Sequence, residues 1–247
     1  MEYLIHEVNA TITVLDLITA CQKPGCPICR LQQETVEQYL RDLFEKYFHR
    51  TDIRAVLRDS KGFCKEHGWL AFELELGGTF GAGIIYHDLL MLAIGDLQKV
   101  KSTPSDKSLW SLSDRILRRL GLCRIMAAST GIPPRCPACI EQEVATHAAL
   151  GVLTSNLNDA VLNAVFRKST GLCRQHLNQA IARSPNAEIT RALVSISGEK
   201  LEALRVRVTE YIRETEHKTP EQIHSVEKSF WPQVVGAISG YGRISKE

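Results

Sequence analysis

The chain has 247 residues, enough for one large domain or two ordinary ones. Lysine and arginine number 30 against 28 acidic residues, so the net charge of +2 provides no overall field toward nucleic acid or anionic lipid. The first residues show no secretory signal, and the longest apolar stretch, Ile84 to Ile94, is shorter than the roughly 20 residues that cross a membrane. We therefore expect a cytoplasmic protein with no membrane segment.

The first hundred residues contain apolar positions at helical spacing, interrupted by short breaks. This periodicity predicts a helix over Thr11 to Cys21 and, after the break at Lys23-Pro24-Gly25, an amphipathic helix from about Leu31 to Phe48. A shorter helix capped by Thr51 or Asp52 follows.

Two pairs of metal-binding residue types flank these helices. Cys26 and Cys29 form a Cys-x-x-Cys pair, and Cys64 and His67 form a Cys-x-x-His pair. Residues three apart on a helix share one face, and a helix start favours thiolate through its free N–H groups and positive dipole end. The second pair is therefore expected on the first turn of a helix that reaches about Leu76.

A glycine-rich stretch, residues 77–83, precedes an apolar helix from Ile84 to Leu97. No strand precedes the glycines and no Gly-Lys-Ser/Thr follows, so close helix packing is favoured over phosphate binding. His87 and Asp88 interrupt the apolar helix and need partners if buried. We expect His87 to be a satisfied core histidine, and it is also the best ligand candidate outside the motifs.

A polar segment with Pro104 separates these elements from the second half of the chain. It suggests a first module at residues 1–100, a linker at 101–108, a second module at 109–185 and C-terminal helices at 186–247 that pack on both. The second module opens with four arginines that could grip RNA or, more commonly, form a solvated basic face: Arg115, Arg118, Arg119 and Arg124.

The two cysteine motifs then recur in the same order. Their second copies are Cys136 with Cys139 and Cys173 with His176. The first copy has 34 residues between its pairs and the second has 33, and Ser60 and Gly62 recur as Ser169 and Gly171. The repeat predicts a duplicated module of helices rather than two coincidental sites.

Three cysteines and one histidine suit a tetrahedral Zn²⁺ with no open coordination position, as in structural zinc sites. We expect two zinc ions per chain, each held within one copy, with the ligands Cys26, Cys29, Cys64 and His67 in the first and Cys136, Cys139, Cys173 and His176 in the second. Iron–sulfur ligation is the alternative. A further alternative is a redox switch with metal release, for which the remaining cysteines, Cys21 and Cys123, would be the resolving thiols.

The sequence contains no nucleophile elbow, P-loop or His-Glu-x-x-His motif, so it favours a protein that is not an enzyme. We expect a metal-binding helical scaffold or regulatory protein that binds a protein partner. The alternatives are a thiol-based redox or iron–sulfur sensor and, third, a nucleic-acid-binding regulator that uses the arginine cluster. Nucleic acid is not the expected partner, and the oligomeric state stays open.

The order Cys-Pro-x-Cys, Gly-Phe-Cys-x-x-His and then both motifs again resembles an uncharacterised family of bacterial and archaeal proteins known only as a domain of unknown function. The resemblance covers about Leu15 to Ala182, and the second copy departs mildly in reading Gly-Leu-Cys at 171–173. It implies a duplicated, metal-binding helical protein with the same eight ligands and no stated activity. The expected fold is all-α, with two helical modules related by an approximate internal two-fold. Each module is expected to hold its Cys-x-x-Cys pair in a zinc-knuckle loop and its Cys-x-x-His pair at a helix start.

Overall fold

The computed structural model describes residues 12–102, 135–216 and 230–242, and for residues 99–102 it describes the backbone only. Helices and turns account for the regular structure in these ranges, and they contain no strand, which confirms the all-α prediction. The polar linker from residue 103 onward, Cys123 and the arginines at 115–124 lie outside the described residues.

Residues 12–102 form five α-helices, with a short 3-10 helix (Leu76–Gly78) before the last of them. A capping box between Thr13 and Asp16 starts the first of them. The second begins at Pro27, earlier than predicted, because proline fits the first turn of a helix, where its missing N–H costs nothing. The helices are α1 (Val14–Cys21), α2 (Pro27–Asp42, continued by a π-helical turn, Leu43–Tyr47), α3 (Thr51–Asp59), α4 (Lys65–Glu73) and α5 (Phe80–Ser102).

In residues 135–216 and 230–242 the order of α2, α3 and α4 recurs and two further helices follow. The Asp159 side chain accepts hydrogen bonds from two N–H groups at the start of the second helix of this half, and Asn186 caps the long helix near the C-terminus. These helices are α6 (Pro137–Asn156), α7 (Ala160–Lys168), α8 (Arg174–Ala182), α9 (Ala187–Thr215) and α10 (Trp231–Ser239).

The chain divides into two compact units that do not follow the order of the sequence copies. Unit 1 comprises Met1–Tyr39 and Glu141–Glu247, and unit 2 comprises Leu40–Ile140. Each unit therefore contains parts of both copies. The modules proposed from the sequence, and the approximate two-fold between them, stay predictions.

Unit 1 is built on one continuous apolar core. Helix α1 packs against α7, and α8 packs against α9 and α10. The most buried residues of this core include Leu17, Ile28, Leu150, Leu153 and Phe166. The sulfurs of the first Cys-x-x-Cys pair and of Cys173 belong to residues of the same core.

Unit 2 has a core in which the start of α5 packs on the π-helical turn, beside the fully buried Phe44. A Cβ at Gly81 would overlap the carbonyl oxygen of Phe44, whereas a Cβ at Gly83 would meet nothing within 4 Å. Close packing by a small residue, predicted for the whole glycine-rich stretch, is thus confirmed at Gly81, where backbone meets backbone.

Most of the surface of α5 is exposed, which the sequence did not indicate. The window Phe80–Gln98 is long and apolar enough to cross a membrane by length and composition, and 17% of it is buried. The prediction that His87 is a core histidine is wrong, because its side chain is exposed on this helix. Asp88 does have partners, since Arg54 and Arg58 of α3 both contact its carboxylate, at 2.6 and 2.8 Å.

Substitution of Gly81 by alanine should destabilise the fold by about 1–3 kcal/mol, because the new methyl group meets a carbonyl that cannot move without its helix. The unfolding midpoint, followed by circular dichroism, should fall by about 2–4 °C for each kcal/mol.

The matched control is Gly83→Ala in the same helix. Its methyl group enters open space and removes the conformational freedom of a helical glycine, so it should be neutral or stabilise by up to about 1 kcal/mol. Equal midpoints for the two variants would show that the close contact at Gly81 is unimportant.

Candidate metal centres

The structure brings all eight predicted site residues into two clusters, with the copies exchanged between them. The first cluster is Cys26, Cys29, Cys173 and His176, and the second cluster is Cys64, His67, Cys136 and Cys139. In each cluster one ligand atom from every residue lies within 4.8 Å of the others. The prediction that each copy closes its own site is therefore wrong: every cluster takes a Cys-x-x-Cys pair from one copy and a Cys-x-x-His pair from the other.

Helix lengths explain why the pairs of one copy do not meet. Helix α2 and its π-helical turn carry the chain about 30 Å from Cys26, at about 1.5 Å per residue. Helix α3 has nine residues and spans only about 13 Å, which is too short to bring Cys64 back. The second copy has the same imbalance, with 20 residues in α6 and nine in α7.

All four ligand pairs lie at helix starts. The carbonyl oxygens of Cys26, Cys64, Cys136 and Cys173 each accept a hydrogen bond from the N–H four residues later, at 2.8–3.2 Å. The second ligand of each pair is three residues on, in the first turn and on the same face. Two helix N-termini thus point their positive dipole ends at each cluster, where thiolates collect. The predicted Cys-x-x-Cys loop is in fact a helix start.

The loops before α4 and α8 share a left-handed glycine and a serine. Gly62 has φ 94° and Gly171 has φ 86°, a region that glycine enters without steric cost. The Ser60 hydroxyl donates to the Gly62 carbonyl at 3.0 Å, and the Ser169 hydroxyl accepts from the Gly171 N–H at 3.1 Å. The repeat of these residues in the sequence is explained by the turn that aims each Cys-x-x-His pair.

The first cluster is enclosed on all sides. Its four residues are buried, with Cys26 and Cys173 at 0% exposure. The Nδ1 atom of His176 lies 3.3–3.6 Å from the three sulfurs, and the sulfurs of Cys29 and Cys173 are 3.8 Å apart.

Residues that the sequence analysis missed surround the first cluster. The Gly25 N–H donates to the Thr170 hydroxyl at 3.1 Å and so ties the loop before α2 to the loop before α8. Tyr241, after α10, packs on the core, and burial together with the nearby thiols raises its pKa to about 12. No sequence pattern links Tyr241 to the cysteines, because it is distant in the chain and belongs to neither copy.

The second cluster has similar distances and a different exposure. His67 Nδ1 lies 3.3–3.6 Å from its three sulfurs, and the sulfurs of Cys64 and Cys139 are 3.7 Å apart. His67 and Cys136 are buried, but Cys64 and Cys139 are partly exposed. Glu141, one turn into α6, is also buried, which raises its pKa to about 7.

The protonation of the sulfurs reflects their crowding. Burial and the neighbouring thiols raise the pKa of Cys26, and burial raises that of Cys139 to about 12. Hydrogen bonds from Cys26 and Cys29 hold the pKa of the Cys173 thiol far below its ordinary value. Burial opposes protonation of His176, yet its contacts with the thiolates raise its pKa to about 9. The three thiols of a cluster cannot all ionise without a cation beside them, so a divalent ion fits the chemistry of the group.

The remaining candidates take no part in either cluster. Cys21 is buried, and burial raises its pKa to about 11, so it is poorly suited to act as a resolving thiol. Lys65 and Arg174, the basic residues that directly follow Cys64 and Cys173, are exposed. His87 is exposed too and lies outside both groups.

Comparison with known proteins places the chain in a family. Residues 5–227 match the model of the Family of unknown function (DUF6062), which is most of the chain, and the protein belongs to that family. Searches of the curated proteins and of the solved structures found no significant match.

Metal stoichiometry of double variants tests the exchanged pairing. Cys26→Ser with Cys173→Ser removes two ligands from one cluster and should leave one bound metal ion per chain. Cys26→Ser with Cys64→Ser damages both clusters and should leave none. Elemental analysis after dialysis gives the number of metal ions bound per chain.

Pairing within each copy would produce the opposite pattern. Cys21→Ser is the control, because this buried cysteine belongs to neither cluster, and the variant should keep both ions. Circular dichroism of each variant separates loss of metal from loss of the fold.

Proposed function

We propose that this member of a family of unknown function is a two-zinc helical scaffold, non-enzymatic, that binds a protein partner. The observation that carries the zinc assignment is the spacing of the ligand atoms. With Zn–S near 2.3 Å and Zn–N near 2.0–2.1 Å, a regular tetrahedron places sulfurs about 3.8 Å apart and sulfur and nitrogen about 3.6 Å apart. The clusters have sulfur pairs at 3.7 and 3.8 Å and sulfur–nitrogen pairs at 3.3–3.6 Å.

The same spacing favours a single ion over an iron–sulfur cluster. An iron–sulfur cluster places several iron and sulfide atoms between its protein ligands, so those ligands must stand further apart than the edges of one tetrahedron. Three thiolates with a neutral imidazole are also the ligand set of structural zinc sites.

Four protein ligands leave the ion no open position, so its role is to hold the helix starts together rather than to activate water. In unit 1 the ion would join α2 to α8, and in unit 2 it would join α4 to α6. Each junction links segments at least 69 residues apart in the chain. The backbone hydrogen bonds of the described residues provide no such connection.

The protein-partner part of the proposal is supported by an apolar face on unit 2. Helix α4 exposes Trp69 and Phe72, and α5 exposes Leu90, Ile94 and Leu97, which share one side of that helix. An apolar patch of this kind marks an interaction surface. Asp88 and Asp96, both in the middle half of α5, form ion pairs with basic residues, which suits a protein interface better than the interior of a bilayer.

Metal analysis of protein purified without oxygen tests the zinc assignment. We expect two zinc ions per chain and no visible absorption, whereas brown protein with iron and sulfide would refute it. Removal of the zinc by a strong chelator should lower the free energy of unfolding by at least about 5 kcal/mol and the unfolding midpoint by about 10–20 °C, because the ions no longer join the helix starts.

A photo-crosslinking residue at Ile94 tests the partner face. It should capture one protein in the cell, and the same residue at the exposed Val206 of α9 should not. The purified captured protein should then bind the full chain at least about tenfold more weakly when Ile94 is replaced by Asp, because burying a carboxylate in an apolar interface is costly. Equal binding by Ile94→Asp and Val206→Asp would rule out this face.

A further inference from the structure

The two clusters share ligand types and distances and differ in access. The sulfurs of the first cluster belong to residues that are at most 4% exposed. In the second cluster Cys64 and Cys139 are partly exposed. Reagents in solution therefore reach the second cluster and are kept from the first.

Cys64 also lies on the wall of a cleft of about 480 Å³ in unit 2. The cleft lies between α4, with the loop before it, and α5. Trp69 and Phe72 are 58% and 64% exposed there, so the apolar surface is open to a ligand. The cleft is lined mainly by aromatic and leucine side chains: Phe63, Trp69, Phe72, Tyr86, Leu89 and Leu90. An apolar organic molecule would be concentrated beside the Cys64 sulfur, and a small hydrophilic one would not.

The second partly exposed sulfur lies within reach of the first. Cys64 Sγ and Cys139 Sγ are 3.7 Å apart, and a disulfide of about 2.05 Å needs them to approach by less than about 2 Å. The first cluster has an equivalent pair, Cys29 and Cys173, at 3.8 Å. The sulfur–sulfur distance is thus nearly the same in both clusters, and the clusters differ in the exposure of their cysteines.

We propose that the second cluster is a thiol-oxidation site for apolar organic hydroperoxides, with Cys64 as the attacking thiolate and Cys139 as the resolving one. This inference rests on the proposed occupancy by zinc, which keeps both sulfurs as thiolates. It assigns different roles to two sites of identical ligand type: the first stays structural and the second responds to oxidant.

The reaction balances without any further co-reactant. The Cys64 thiolate attacks the outer oxygen of the hydroperoxide, an S–O bond forms, the O–O bond breaks, and the alcohol leaves after taking a proton from water. The Cys139 thiolate then attacks the Cys64 sulfur, a disulfide forms, and hydroxide leaves and is protonated to water. Two electrons pass from the two thiolates to the hydroperoxide, and the zinc ion, left with His67 and Cys136, dissociates.

The experiment uses the full chain after its two zinc ions have been counted. A preparation that lacks zinc refutes the zinc assignment at that step, before any oxidant is added. Cumene hydroperoxide and hydrogen peroxide are then compared at equal concentration, with a chromogenic zinc chelator and peptide mass spectrometry as readouts. We expect release of one zinc per chain, a Cys64–Cys139 disulfide, and a rate about tenfold higher with the organic hydroperoxide, because one apolar group is removed from water in the cleft.

A cleft variant and a matched control separate access from general reactivity. Trp69→Ala should lower the ratio of the rate with cumene hydroperoxide to the rate with hydrogen peroxide to near one, since it removes apolar lining of the cleft. Val161→Ala, an equally exposed apolar residue of α7, should change neither rate. Release of both zinc ions at one rate, a disulfide between Cys29 and Cys173 or to Cys123, or equal rates for the two oxidants would overturn the proposal.

Discussion

The structure depends on the meeting of helix N-termini, two at a time, around two groups of three sulfurs and one imidazole. Each helix start has free N–H groups and a positive dipole end, and each supplies two ligands on one face of its first turn. The thiols in these groups are too crowded to ionise together, as the raised pKa of Cys26 shows, and a divalent cation removes that conflict. The loops with Gly62 and Gly171 also contribute to this arrangement, because they direct the chain into the helices that present the Cys-x-x-His ligands.

The exchange of ligand pairs between copies changes what the duplication means. One copy contains both kinds of pair but keeps them apart. The long helix α2 carries the chain away from the first pair, and the shorter helix α3 does not span the same distance back. A complete cluster requires a Cys-x-x-Cys start from one copy and a Cys-x-x-His start from the other. Loss of one cysteine therefore affects a junction between the copies, and neither copy by itself holds four ligands in reach of one ion.

Burial gives the two clusters different chemistry from the same residue types. The first cluster lies in the core of unit 1, beside Tyr241 and the loop of Thr170. The second has two partly exposed cysteines, and one of them, Cys64, lines an aromatic cleft. The exposed side chains of α4 and α5 continue from that cleft along unit 2, so an apolar ligand or a partner that docks there would also cover a metal ligand. This proximity connects the proposed partner surface with the proposed oxidation site.

The sequence alone determined the helical fold, the duplication and the eight residues of the clusters, because these follow from local spacing: apolar residues every three or four positions, and ligands three apart at a helix start. It also indicated close packing at Gly81, through the glycines before α5. Only the tertiary structure decided which pairs meet, since that depends on helix lengths and on which helix starts converge. The exposure of His87, the burial of Cys21 and the place of Tyr241 were settled in the same way. Each results from packing between segments far apart in the chain, which no local pattern records.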